Sequence, residues 1–474
     1  MRLTSTQRWV LALSALASFM VVLDMLVVAT ALSTIQRDLG ASLEDLEWTV
    51  NAYTLTFAVL LMTAAALGDR LGRRRVFAAG LALFAAASAA CALASSVGAL
   101  IAARAVQGAG AATVMPLALA LLTTAIPPQR RGWALGVYGS VTASAAVLGP
   151  VLGGAVAQGI AWQWIFWLNV PIGLLAVPLV LARVPEGFGP AAALDLPGLA
   201  LAGAAALGLV WGLVRASTAG WASAETVAAL LAGLLATAAF IRREQRAPAP
   251  MLPLRLFGSR AFSAGNAAVF LVNAALTGAI FFTAQFLQVT LGHRPLGAGL
   301  GLLPWGIAPL LIAPRAGALA DRIGERALTL AGTLLMAAGL GWLALVSAPG
   351  VGYVALAVPI TVAGAGLALA VPAITKSVVS LVAPQDVGKA SGTYTTLRQL
   401  GGAFGVAVLS AAFATRGGYG SPQAFSDGYV PAIAVAAVLA LAATAAGLAQ
   451  PAQRRRDDQG AIVASEDRLA TIGA

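Results

Sequence analysis

The chain has 474 residues, 59% of them hydrophobic and only 10% charged, where a soluble domain carries about 25% charged residues. So few charges exclude a water-covered globule, and many apolar runs have the roughly twenty residues that cross ~30 Å of hydrocarbon as helix. The net charge of +11 would suggest nucleic acid in a soluble protein; here basic loops that fix membrane orientation account for it, and no nucleic-acid partner is implied.

Taken in order, the apolar runs place spans near 10–32, 48–67, 76–95, 98–122, 132–157, 165–184, 197–215, 226–241, 261–288, 297–314, 327–347, 352–375, 388–413 and 429–450. Arg2 and Arg8 followed by an apolar run and "ATA" at 29–31 resemble a secretory signal. The run is too long for a cleaved signal core and reads instead as the first span. Fourteen spans put both termini on one side. Lys and Arg concentrate in the segments of that side, and only Arg37, Arg215, Arg294 and Arg416 fall in those opposite. By the positive-inside rule both termini are expected in the cytoplasm.

"VVLDMLVVATAL", Val21 to Leu32, contains Asp24, the only acid that these boundaries place within a span. An intramembrane charge costs roughly 2.5–3.5 kcal/mol on insertion scales, and normally faces a partner or a cavity. Asp24 lies about eight residues below the far end of span 1, or ~12 Å at 1.5 Å per residue. Arg104 in span 4 lies at a similar depth, so a direct or water-bridged pair is open to the two, as is a structural pair without a transport role. Gln107 has two equal readings, cross-helix hydrogen bonding or cavity lining. Asn51 and Tyr53 in span 2 and Asn266, Asn273 and Gln285 in span 9 are further candidate cavity groups; helix–helix hydrogen bonding is an equal reading for each. Cys91 reads as a small packing residue and His293 as a loop residue. No His/Cys cluster points to a metal, and no P-loop points to a nucleotide. An enzyme would offer clustered catalytic groups in the spans, which this chain lacks.

An internal repeat joins "AALGDRLGRR" (65–74) to "GALADRIGER" (317–326). The first copy follows span 2 and the second span 10, so two six-helix halves require a two-helix insert, spans 7 and 8, between them. The expected organisation is an N-terminal six-helix bundle over 1–185, an insert with its linkers over 186–250, a C-terminal six-helix bundle over 251–450 and a disordered cytoplasmic tail over 451–474. Such repeats mark many transporter folds. In "LGPVLGG", Pro150 can kink span 5, and Gly149 and Gly153 form a small-xxx-small seam.

These residues carry a resemblance. "LDMLVVATALSTI", "LEWTVNAYTL", "GDRLGRRRV", "RAVQGAGAATVMP", "LGPVLGG" and "WQWIFWLNVPIG" together resemble the major facilitator superfamily, specifically its fourteen-helix drug:proton antiporter branch. Ala65 departs from the usual Gly of the loop motif, which Gly317 keeps. Leu26, Ala29 and Ser33 stand where the branch usually has Thr, Asn and Pro, and Gln163 where it often has Arg. The resemblance implies an all-α fold of two six-helix bundles plus two inserted helices, working as a monomer in the lipid bilayer of the cell membrane without cofactor. It implies a proton-coupled antiporter exporting hydrophobic or cationic small molecules, with a proton symporter importing a nutrient as the alternative. Asp24 and Arg104 would then couple protons. Gly68, Asp69, Arg70, Gly72 and Arg73, with Asp321 and Arg322, would form a cytoplasmic gate across the halves. Gly149, Pro150, Gly153 and Gly154 would form the antiporter motif where the halves meet.

Overall fold

A computed structural model describes residues 3–189, 195–247, 250–252, 254–379, 382 and 387–451; the expected tail beyond Pro451 lies outside the described residues. Among them there are sixteen α-helices and a 3-10 turn at Leu254–Gly258. Helices α1 (Ser5–Leu39), α2 (Leu43–Leu71), α3 (Arg73–Ala92), α4 (Val97–Ala125), α5 (Pro128–Gly159), α6 (Trp164–Trp167) and α7 (Asn169–Arg183) make the first half. Helices α8 (Leu196–Ala219) and α9 (Ala224–Arg246) follow. Helices α10 (Arg260–Val289), α11 (Pro295–Gly301), α12 (Leu303–Ile323), α13 (Glu325–Val346), α14 (Tyr353–Val379), α15 (Val387–Phe413) and α16 (Pro422–Leu448) make the second half. Two spans are each broken in two, α6–α7 at Leu168 and α11–α12 at Leu302, and fourteen segments are long and apolar enough to cross a membrane.

Local chemistry sets the ends. Thr4 and Ser42 each close a capping box, with Gln7 and Asp45 as the return partners, which satisfies otherwise orphaned amides of the first turn. Gly40 ends α1 in the left-handed region at φ 64°. The Ser42 box starts α2 five residues before the hydropathy boundary at 48, and so draws Glu47 into the helix. Asp24 is therefore not the only acid inside a span: Glu47 is also buried there.

The repeat is visible as geometry. Gly72 separates α2 from α3 at φ 106°, and Gly324 separates α12 from α13 at φ 88°, a backbone conformation that side chains disfavour. The two turns lie on the side of the bundle that carries the N-terminus, called here the motif side. The inserted helices pack on each other, and α8 also lies against α2 and α15. There Leu55, Val210, Val214, Ala403 and Ala407 form one apolar cluster joining both halves to the insert.

On the far side the halves touch. The amide of Gln288 in α10 donates to the Thr30 carbonyl at 3.2 Å, and Ser33 donates to Gln288. The Leu296 amide donates to Gln158 at 3.2 Å. Gly154 of α5 lies against the Pro295 carbonyl, and Gly299 of α11 against the Pro150 carbonyl, each too close for a Cβ.

Candidate functional site

Asp24 and Arg104 meet directly. Arg104 Nη1 donates to Asp24 Oδ2 at 2.5 Å, and each residue is only 1% exposed. The other carboxylate oxygen accepts two hydrogen bonds: Gln107 Nε2 donates to Oδ1 at 2.8 Å, and Asn169 Nδ2 donates to the same oxygen at 2.7 Å. Ser88 Oγ accepts from Gln107 at 2.7 Å and from Asn169 at 3.3 Å. The guanidinium also reaches Gln107 Oε1 at 2.6 Å and the Thr49 carbonyl at 3.2 Å, and it lies over the Tyr53 ring, 4.2 Å from its centroid. The cluster thus draws on α1, α2, α3, α4 and α7.

Close helix approach makes this possible. A Cβ on Gly108 would strike the Tyr53 carbonyl, and one on Gly110 would lie 2.8 Å from the Phe84 amide nitrogen. These two glycines let α4 sit against α2 and α3, which brings Arg104 and Gln107 to depth. The sequence pattern named Asp24, Arg104, Gln107 and Tyr53 but gave Asn169 and Ser88 no role. The signal for Asn169 was an amide in the apolar "FWLNVPIG", next to the break at Leu168.

The structure sorts the other expected groups. Gln107 and Tyr53 belong to the ion-pair cluster, and both are fully buried. Asn51 is buried with neither end of its amide hydrogen-bonded. Asn266 and Asn273 each donate to a carbonyl one turn back on α10, at 2.9 and 3.0 Å, so they serve their own helix. Gln285 does the same to Phe281 at 3.1 Å and also accepts from Tyr419, which precedes α16.

The first-copy motif is held within its own half. Asp69 pairs with Arg73 at 2.7 Å, and Arg73 also donates to Thr124 at 3.0 Å. The linker towards α8 closes over the turn: the Gly189 amide donates to the Asp69 carbonyl at 3.1 Å, and the Arg73 amide to the Gly187 carbonyl at 2.8 Å. Glu186 accepts from the Arg74 amide at 2.8 Å. Gly68 lies against Leu117, and Arg70 is exposed. The partners of Asp69 are thus its own helix junction and the linker, where a contact with the other half was expected. The side chains of Asp321 and Arg322 lie outside the described residues. Next to them, Glu325 pairs with Lys376 at 2.8 Å.

The antiporter motif also divides differently from the expectation. Gly149 and Gly153 face α1, where added Cβ atoms would meet Leu26 at 2.8 Å and the Val27 carbonyl. The small-xxx-small seam is therefore internal to the first half. Pro150 and Gly154, one residue further on, make the contact between halves, because a one-residue step on a helix turns the face by about 100°.

The sequence model of the Major Facilitator Superfamily matches residues 14–406 and again, in an overlapping match, 267–463. The chain belongs to that superfamily. This major facilitator is 37% identical over 467 residues to the cephamycin export protein CmcT of Amycolatopsis lactamdurans, covering 97% of this chain and 96% of that one. It is 36% identical over 428 residues to the tetracenomycin C resistance and export protein of Streptomyces glaucescens, covering 88% and 78%. Among solved structures, a bacterial homologue of the human lysosomal transporter Spinster, inward-facing and unoccupied, matches with a TM-score of 0.69 at 17% identity, covering 95% of this chain and 98% of that one. The fold is accordingly the major facilitator fold with two additional helices, and the protein is a multi-pass membrane transporter.

Proposed function

We propose that the protein is a proton-coupled antiporter of the cell membrane that exports hydrophobic or cationic small molecules, such as antibiotics or secondary metabolites, by alternating access. Export is supported by the relatives, which are named for export and resistance. Both termini, and hence the motif side, are read as cytoplasmic from the distribution of Arg and Lys. The far-side contacts then close the protein towards the outside. In this reading the cytoplasmic gate is released, which fits an Asp69 held within its own half.

The observation that carries proton coupling is the enclosed Asp24–Arg104 pair. A buried ion pair in a membrane is expensive and marks function more often than stability. Here each member has alternatives to the other. When Asp24 takes a proton, Arg104 keeps Gln107 Oε1, the Thr49 carbonyl and the Tyr53 face. The neutral Asp24 still accepts at Oδ1 from Gln107 and Asn169, so its carbonyl oxygen keeps its partners. The pair therefore opens without stranding a bare charge, as a site that changes proton affinity between conformations requires. A cationic substrate competing for the same carboxylate would give exchange.

Everted vesicles with an imposed pH gradient test this reading against a panel of cationic dyes and antibiotics. Substrate addition is expected to release protons, and Asp24→Asn is expected to abolish gradient-driven transport while the protein still folds. A folded Asp24→Asn protein with wild-type proton-driven efflux overturns it.

A further inference from the structure

The second acid inside a span has no place in the cluster just described. Glu47 is fully buried, and neither of its carboxyl oxygens has a hydrogen-bond partner. It sits on the first turns of α2, at the far end, on the seam where α2 meets α15 and α8. The Ser410 hydroxyl of α15 faces it across the seam as its nearest hydrogen-bonding group, short of bonding geometry and with no other partner. The next residue, Trp48, packs on Trp211 of α8 with ring centroids 5.2 Å apart, so the insert seals the same place from the side.

Among the described residues no cation forms an ion pair with this carboxyl. Two residues earlier on α2, Asp45 is held by the Ser42 cap. On α4, Arg104 is committed to Asp24, Gln107 and the Thr49 carbonyl. On α8, Arg215 bridges Glu44 at 3.0 Å and Glu225 at 2.7 Å. Glu44, one turn earlier on α2, adds like charge. On α1 Asp24 is paired, on α3 Cys91 is buried in the cluster, and Arg398 of α15 lies twelve residues before Ser410. Tyr419 lies within electrostatic range, with its hydroxyl bound to Gln285. An isolated carboxylate enclosed in this way costs several kcal/mol, and in practice neutralises instead.

We propose that Glu47 is a second protonation site, and that the outer ends of the two halves close only over its protonated form. When the seam parts, Glu47 is wetted and exchanges its proton with the outside. When the seam closes, the proton must be aboard. External acidity then favours closure directly, separately from the exchange at Asp24. The use of this step in a transport cycle rests on the antiporter reading above; the protonation itself does not.

Two measurements, neither of which needs transport, test it. In infrared spectra of the purified protein in lipid at neutral pH, a carboxylic-acid C=O band is expected that shifts when the protein is made with 13C-labelled glutamate but not 13C-labelled aspartate. Glu47→Gln is expected to remove that band, and Asp24→Asn to leave it. Spin labels on the outer ends of α5 and α11 then report closure. In the wild-type protein the open fraction is expected to rise with pH by up to about tenfold per pH unit, the limit for one linked proton. Glu47→Gln, which mimics the neutral acid, is expected to stay closed across the same range. Absence of a glutamate-dependent band, or an open fraction with the same pH dependence in Glu47→Gln as in wild type, overturns the proposal. The isotope arm needs no mutant to fold. A positive result here combined with vesicles that exchange no protons would refute the antiporter reading and leave the Glu47 site standing.

Discussion

In the first half, five helices converge on Asp24, Arg104, Gln107, Asn169 and Ser88, joined by hydrogen bonds from a guanidinium and two amides. In the second half, the interior between α10, α15 and α16 is aromatic. Phe282 stacks on Phe413 at 5.0 Å, Phe286 stacks on Tyr429 at 4.2 Å, and a buried polar link joins Thr283 to Tyr429 at 2.9 Å. The repeat therefore preserved the turn at Gly72 and Gly324 while the two interiors diverged. One interior holds a charge pair, and the other packs chiefly aromatic rings. Tyr429 can fill such a core because its single hydroxyl finds a partner in Thr283.

The sharpest way to break this contrast is to strand a charge. Arg104→Leu leaves Asp24 buried without its cation and is expected to destabilise the protein by about 3–5 kcal/mol, read as thermal unfolding in detergent. The double variant Arg104→Leu with Asp24→Leu is expected to recover most of that loss while proton-driven efflux stays absent. In the second half, Phe286→Ala removes packing but no charge. It is expected to cost about 1–3 kcal/mol, since in lipid a cavity is created without the full transfer term, and to leave the pH profile of transport unchanged.

Smaller effects separate the two faces of the span 5 motif. Gly153→Leu is expected to lower stability by pushing α5 off α1. Gly154→Leu is expected to keep the fold, because its side chain enters only the contact between halves, and to hold the outer side open; spin-label distances between α5 and α11 check this. The smallest effect belongs to the insert. At Asp195, which caps α8 outside the spans, burial pushes the carboxyl up, but the Gly198 amide and the Arg243 guanidinium outweigh it, and the net direction is down. Its contribution is therefore present at neutral pH and is lost only as acid takes the pH through that lowered value. Asp195→Asn is expected to reduce this acid sensitivity in melting curves, with transport unaffected.

Span number, the insert and the depth match of Asp24 with Arg104 were legible because they depend on run length, repeat spacing and helical rise. Glu47 was not, because a hydropathy boundary stops at the first charges. The capping box of Ser42 and Asp45 in "SLED" states that α2 begins earlier. Asn169 was obscured by the helix break beside it, and a single amide in an apolar run does not say which neighbour it will meet. The two faces of "GPVLGG" were merged for a similar reason: adjacent glycines look equivalent in a string, but on a helix they point to different partners.

The contact that closes the far side has a further property. Each half offers one glycine to a proline carbonyl of the other, Gly154 to Pro295 and Gly299 to Pro150. At these two points main chain rests on main chain, while beside them the Gln288 and Gln158 side chains bridge the halves through hydrogen bonds. Such a joint combines a bearing with a latch. The glycines let it press close enough to exclude water, and the few polar bonds of Gln288 and Gln158 are what must break for it to part.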